Sequence, residues 1–247
     1  MRREHHHLQV DGFEHTLGVV VHGHYGRPVV VFPSEAGRAW DFENNGMVDA
    51  VGDLIDAGRV KLYCVDSLDA WSWSDQSIST EERAHRHGAY VDWLTKRLLP
   101  FVADTSGEAE PLALGCSLGA YHAVNLALQH ADKVPLAIGL SGNYDVSTWR
   151  GWGERAGAAY FANPADYVPN LHGDHLAWLQ RQVSLLLVCG QGAWETHPTG
   201  SLPSTTSLAK ALQDKGIQCE LDLWGHHVSH DWEWWQRQLA HHLPRFC

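Results

Sequence analysis

Short runs rich in apolar and β-branched residues recur along this chain, each bounded by Gly, Pro or Asp: "TLGVVVHG" (16–23), "PVVVFP" (28–33), "VKLYCVD" (60–66), "PLALG" (111–115), "VPLAIGLSG" (134–142), "VSLLLVCGQ" (183–191) and "CELDLWG" (219–225). Several are continuously apolar instead of alternating. A strand with no polar face has to be covered on both sides, and a mostly parallel sheet with helices on both faces is the arrangement that does this. The intervening segments supply the helices. "STEERAHRHGAYVDWLTKRLLPFV" (79–102) opens with Ser79 and Glu82 at capping-box spacing and carries Ala89, Val91, Leu94, Leu98 and Val102 at helical intervals. Ala120, Ala123, Val124, Ala127 and Leu128 keep the same rhythm, and "SLAKALQDKG" (207–216) ends in a cation followed by a capping glycine.

His5 to His7 sit inside a plausible first strand, which brings the expected sheet to about eight strands. The strands at 16–23 and 28–33 are joined through "HGHYGRP", a sequence that fits a hairpin or a tight connection. The longest stretch between strands, 143–182, is rich in Gly, Trp and Tyr and reads as a partial lid or a packed excursion. With 247 residues and no repeat, the expectation is a single domain over 1–247.

Charge narrows the partners. Lys and Arg number 18 against 29 Asp and Glu, a formal net charge of −11, and no basic run could track phosphates. Nucleic acid and anionic membrane are therefore not expected partners. No apolar stretch approaches the roughly 20 residues of a membrane span, and "MRREHHHLQVDG" lacks the apolar core of a secretory signal. The chain reads as soluble and cytoplasmic. Its five scattered cysteines, mostly within apolar runs, read as reduced and buried.

The chemistry is concentrated in "LALGCSLGA" (112–120), where Gly115 and Gly119 flank Ser117 in the pattern G-x-S-x-G, after a strand and before a helix. Such a strand turns so sharply into its helix that the serine takes strained backbone angles, and the glycines avoid collision. A hydroxyl is a poor nucleophile until a base takes its proton, so a histidine is expected after the last strand. His226, His227 and His230 all follow "CELDLWG"; His230 is preferred because it stands at the mouth of the final helix, in which Trp232, Trp235 and Leu239 pack inward, with His226 in reserve. An acid must hold the imidazole in one tautomer. Glu195 in "GQGAWETHP", after the penultimate strand, is the first choice, Asp145 the alternative one strand earlier, and Asp222 is disfavoured by lying within a strand. The oxyanion of acyl transfer needs donors: the Leu118 N–H at the helix start, and the Ser34 N–H after "PVVVFP", where Pro33 has none.

With these residues assigned, the sequence resembles the esterase family of α/β-hydrolases that includes S-formylglutathione hydrolases, feruloyl-type esterases and mycolyltransferases. The resemblance runs through "GRPVVVFPSEAGR", "NGMVDA", "YCVDSLDAWSW", "ERAHRHGAYVDWL", "GCSLGAYHAVNLAL" and "GQGAWE" to "HDWEWWQRQL". The last of these is similar to the run that the family's catalytic histidine opens, which implies His230. It also implies Glu195 as the acid and an oxyanion loop at Ser34, although Phe32-Pro33-Ser34 departs from the family's usual turn. The expectation is a serine esterase acting on a small-molecule ester through an acyl-enzyme on Ser117, with no cofactor and no metal. Trp71, Trp73, Trp149, Trp152 and Trp194 are expected to border its cleft.

Parts of the sequence also fit three other functions. An acyltransferase would use the same residues. A metal hydrolase is suggested by "HHVSH" (226–230) and "HGDH" (172–175), but the H-E-x-x-H form is missing. An inactive binding module is suggested by the 12 Trp, and an intact Ser, His and acid in the right order argues against it.

Overall fold

In the computed structural model, which describes residues 1–11, 16–107, 109–148 and 157–247, the apolar runs pair into one sheet. The strands are β1 (Arg3–Gln9), β2 (Thr16–His22), β3 (Arg27–Phe32), β4 (Val60–Val65), β5 (Leu112–Cys116), β6 (Leu136–Leu140), β7 (Ser184–Cys189) and β8 (Gln218–Leu223). Among the described residues they form an eight-stranded sheet in the order β1-β2-β4-β3-β5-β6-β7-β8. β2 runs antiparallel to both β1 and β4, and every later pair is parallel. Each apolar run divides its side chains by the two-residue period of a strand: Val19, Val21, Val30 and Phe32 enter one core cluster, and Val20, Val29 and Val31 enter the other.

Helices close both faces: α1 (Asp41–Asn44), α2 (Gly52–Asp56), α3 (Thr80–Trp93), α4 (Leu99–Ser106), α5 (Leu118–Gln129), α6 (Ala158–Ala162), α7 (Pro164–Tyr167), α8 (Gly173–Gln182), α9 (Ser201–Asp214) and α10 (Trp232–His242). Tyr90, Tyr121, Val124 and Leu212 from α3, α5 and α9 line one cluster; Phe42, Ile55, Trp235 and Leu239 from α1, α2 and α10 line the other. This is the α/β-hydrolase arrangement expected from the sequence. α5 is the most enclosed helix of the fold, with Leu118 through Leu128 all buried.

Three local expectations are sharpened or corrected. Of the two readings of "HGHYGRP" the chain takes the tight connection and not the hairpin, because β4 inserts between β2 and β3 and pairs with both. Gly23 and Gly26, at φ 102° and 107°, carry the chain over that gap. The buried face of α3 is Ala84, His87, Tyr90 and Trp93 with Arg83, whereas Ala89 and Val91 are only half-buried. A charged and an imidazole side chain on the inner face obscured the true stripe. Finally, 79–102 is not one uniform α-helix: Leu94–Leu98 widen into a π turn ahead of Pro100, whose missing N–H and bulky ring oppose a regular turn. The Ser79 cap is present, its Oγ accepting from the Glu82 N–H at 3.2 Å.

The segment after β6 is fastened to α5. The Tyr121 hydroxyl donates to the Ala162 carbonyl (2.8 Å) and the Tyr167 hydroxyl to Asn125 Oδ1 (2.7 Å). Trp149 and Trp152 lie outside the described residues. All five cysteines are free, with Cys64, Cys116 and Cys189 buried and Cys219 and Cys247 half-buried. No helix among the described residues is long and apolar enough to cross a membrane.

Candidate active site

Ser117 occupies the single residue between β5 and α5, at φ 56° and ψ −121°. Both flanking glycines are required by contact. A Cβ on Gly115 would overlap the Gly119 carbonyl, and a Cβ on Gly119 would overlap the Pro33 carbonyl while sitting 2.5 Å from the Phe32 carbonyl oxygen. The tight corner therefore also presses the end of β3 against the start of α5. Ser117 N–H donates to the Leu140 carbonyl at 2.9 Å, fixing the corner to β6.

The sequence separates the three candidate side chains by up to 113 residues, and the fold brings them together. His230 Nε2 lies 3.0 Å from Ser117 Oγ, and His230 Nδ1 lies 3.1 Å from Glu195 Oε2. The loops after β7 and β8 are sewn to each other by main-chain bonds: His230 N–H donates to the Ala193 carbonyl (3.1 Å) and Gly192 N–H to the Val228 carbonyl (2.8 Å). Asp231 caps α10 by accepting from the Glu233 N–H at 3.3 Å, which leaves His230 just outside the helix. The edge of Trp235 against the imidazole, at 4.8 Å between ring centres and 88° between planes, restricts its tilt.

Glu195 is fully buried, and a carboxylate there has to have its oxygens occupied. One oxygen faces His230; the other accepts from the Ser141 hydroxyl at 2.5 Å. Ser141 in turn accepts from Trp235 Nε1–H at 3.0 Å, so the side chain that contacts Glu195 and the one that packs against His230 are joined. Ser201 Oγ, at the start of α9, lies 3.4 Å from His230 Nδ1. The sequence reading missed both Ser141 and Ser201. The available signal for Ser141 was its place at the carboxyl end of a parallel strand, where site residues of open α/β sheets gather. Ser201 had no comparable signal.

The other candidates sit elsewhere. Asp145 does not approach His230; its Oδ1 accepts from Ser147 N–H, from the Ser147 hydroxyl (2.6 Å) and from Asn163 Nδ2 (3.0 Å), which organises the turn after β6. Asp222 accepts from Trp224 Nε1–H and meets His242 at the end of α10. His226 and His227 are exposed, the latter edge-on to Trp234. Among the described residues no three His, Cys, Asp or Glu side chains converge as a metal-ligand set.

Ser117 and His230 open onto a cavity of about 300 Å³ whose wall includes Leu118, Glu35, Trp73 and Trp194. Trp73 is buried at its base. Trp194 stands at its rim, 79% exposed and at φ 67°, a backbone setting seldom taken by a bulky residue. Trp71 lines a different cavity, beside Arg38 and Leu68. Leu118 begins α5, so its N–H has no partner within the helix. Ser34 follows Pro33, whose carbonyl meets Gly119, and its own carbonyl accepts from Gly37 N–H at 3.0 Å; the residue of this turn that borders the cavity is Glu35.

A serine held at a strand-to-helix corner and bonded through an imidazole to a buried carboxylate defines, on this sheet, an α/β-hydrolase. The family model described as "Putative esterase" matches residues 33–246, and the chain belongs to that esterase family. Similar solved structures include a ferulic acid esterase (15% identity, 99% of this chain and 96% of that one, TM-score 0.74). The fluorophosphonate-binding serine hydrolase F of Staphylococcus aureus aligns at 11% identity over 99% and 98% of the two chains, TM-score 0.71. MPT51 (FbpC1) of Mycobacterium tuberculosis aligns at 13% identity over 99% and 97%, TM-score 0.74. At these identities the structures establish a shared fold. No curated protein sequence matches the chain significantly.

Proposed function

We propose that this esterase cleaves carboxylic esters of small molecules through an acyl-enzyme on Ser117. The observation that carries the reading is the unbroken chain from Ser117 Oγ to His230 to buried Glu195, with both links within hydrogen-bond reach and the serine facing a cavity. His230 Nε2 takes the Ser117 proton as Oγ attacks the ester carbonyl. Glu195 accepts from Nδ1–H, which fixes the tautomer and stabilises the imidazolium. The N–H groups of Leu118 and Ser34 receive the negative charge that develops on the carbonyl oxygen, at the positive end of the α5 dipole. Collapse of the tetrahedral species expels the alcohol, which takes the proton from His230. A water then loses its proton to His230 and attacks the acyl carbon; the second tetrahedral species collapses as His230 returns that proton to Ser117 Oγ, releasing the carboxylic acid and the free serine.

The test is labelling with a fluorophosphonate followed by mass spectrometry. The expected adduct is on Ser117, with the rate of labelling strongly reduced in His230→Ala. An unlabelled Ser117, or ester hydrolysis that survives Ser117→Ala, would end this reading.

A further inference from the structure

Beneath the cleft lies a carboxylate that the chemistry above does not use. Asp69, in the loop after β4, is fully buried, and so is His122 on α5. His122 Nε2–H donates to Asp69 Oδ1 at 2.8 Å. The second oxygen, Oδ2, accepts from the Ala36 N–H at 3.1 Å. Ala36 lies inside the turn that Gly37 N–H closes onto the Ser34 carbonyl and is held at φ 54°, a left-handed setting a non-glycine residue keeps only under restraint. His122 stands five positions after Ser117, on the helix whose first N–H is that of Leu118. His122 also stacks on Phe32, the last residue of β3, at 5.9 Å between ring centres and 30° between planes. A second tie runs from Ser74 Oγ to Glu35 Oε1 at 2.6 Å.

On the ester-hydrolase reading above, we propose that Asp69 and His122 are positioning residues for the oxyanion site. One carboxylate grips the two separate segments that present its donors: the 34–37 turn through Ala36, and α5 through His122. Neither residue touches the substrate. Their effect is to fix the separation of the Ser34 and Leu118 N–H groups, a distance that has to hold to about 0.5 Å for both to reach one oxygen. A buried carboxylate kept only for stability needs its oxygens satisfied by any donors; here they are shared between the two donor-bearing segments.

The test uses the full chain with Asp69→Asn, His122→Met and His122→Gln, read by kcat and KM on p-nitrophenyl acetate and by the inhibition constant of an aryl trifluoromethyl ketone. That inhibitor forms a hemiketal oxyanion in the site and so reports donor placement directly. Asp69→Asn and His122→Met should lower kcat and weaken the ketone by a common factor of about 10- to 100-fold, below the roughly 10²–10³ that loss of a whole donor costs, with KM little changed. His122→Gln, whose Nε2–H can replace the imidazole donor, should recover most of the loss. Unchanged kcat and ketone affinity in Asp69→Asn, or a raised KM with the ketone unaffected, would overturn the proposal. Should Asp69→Asn fail to fold, the Gln and Met variants at 122 decide: equal behaviour of the two overturns it. A wild-type protein that does not hydrolyse the ester, or whose Ser117→Ala variant does, would instead sink the hydrolase reading itself.

Discussion

Gly119→Ala is the smallest change that separates the geometry of the proposed oxyanion site from the rest of the fold. The new methyl would sit 2.5 Å from the Phe32 carbonyl oxygen and would overlap that of Pro33. An ordinary carbon-to-oxygen contact is about 3.3 Å, so the Phe32 carbonyl has to retreat by about 0.8 Å and the Pro33 carbonyl, just before Ser34, by more. That exceeds the tolerance of about 0.5 Å for a productive site, and one donor is lost. Loss of a single oxyanion donor costs about 10²–10³ in kcat, equivalent to about 2.7–4 kcal/mol of transition-state stabilisation. The displacement itself should cost about 1–3 kcal/mol of folding stability, as overpacking does. Gly88→Ala is the control: Gly88 lies in α3 with nothing within 4 Å of the position of a Cβ, and alanine there should stabilise by about 0.5–1 kcal/mol. The assay is kcat on p-nitrophenyl acetate with thermal melting of both variants. A Gly119→Ala protein with wild-type kcat would show that the turn after β3 contributes nothing to the reaction.

Glu195→Gln should reduce kcat by about 10³–10⁴-fold, since an amide can hold the wrong tautomer and cannot balance an imidazolium, whereas Asp145→Asn, which alters only the turn with Ser147 and Asn163, should stay within a few-fold of wild type. The reverse ranking in ester turnover would reassign the acid. Burial holds the His87 imidazole well below its ordinary value, and His22, His130 and His242 are lowered with the same leading cause. The unfolded chain therefore binds more protons below about pH 6.5 than the folded one, and stability falls as pH drops from 7 to 5, by up to about 1.4 kcal/mol per pH unit for His87 alone. Thermal melts across that range check it; a Tm independent of pH would contradict it.

The parts of this molecule that could be read from its sequence are those governed by local rules. Continuous apolar runs revealed a sheet covered on both faces, and the glycines around Ser117 revealed the corner because close backbone approach excludes any side chain there. His230 was separated from His226 and His227 by its place before the last helix and by a family resemblance, and the fold gives the physical reason in the Ala193 carbonyl and Trp235. What stayed hidden depends on meetings between distant segments. Nothing near Asp69 or His122 in the chain announces a partner, and the strand-end position of Ser141 marks a site without naming its partner, since each is defined by a contact 53 or 54 residues away. The insertion of β4 between β2 and β3 is hidden for the same reason: strand order is a tertiary choice, and "HGHYGRP" describes only how the chain bends.

Trp194 and Glu195 are neighbours that face opposite worlds, one almost wholly in solvent at the cleft rim and the other sealed beneath the imidazole. On the proposed mechanism, the short loop after β7 places the cavity rim and the buried carboxylate one peptide unit apart. Replacing the rim indole should then alter which esters are turned over while the Glu195–His230 contact stays in register, so position 194 is the natural place to begin redirecting this scaffold.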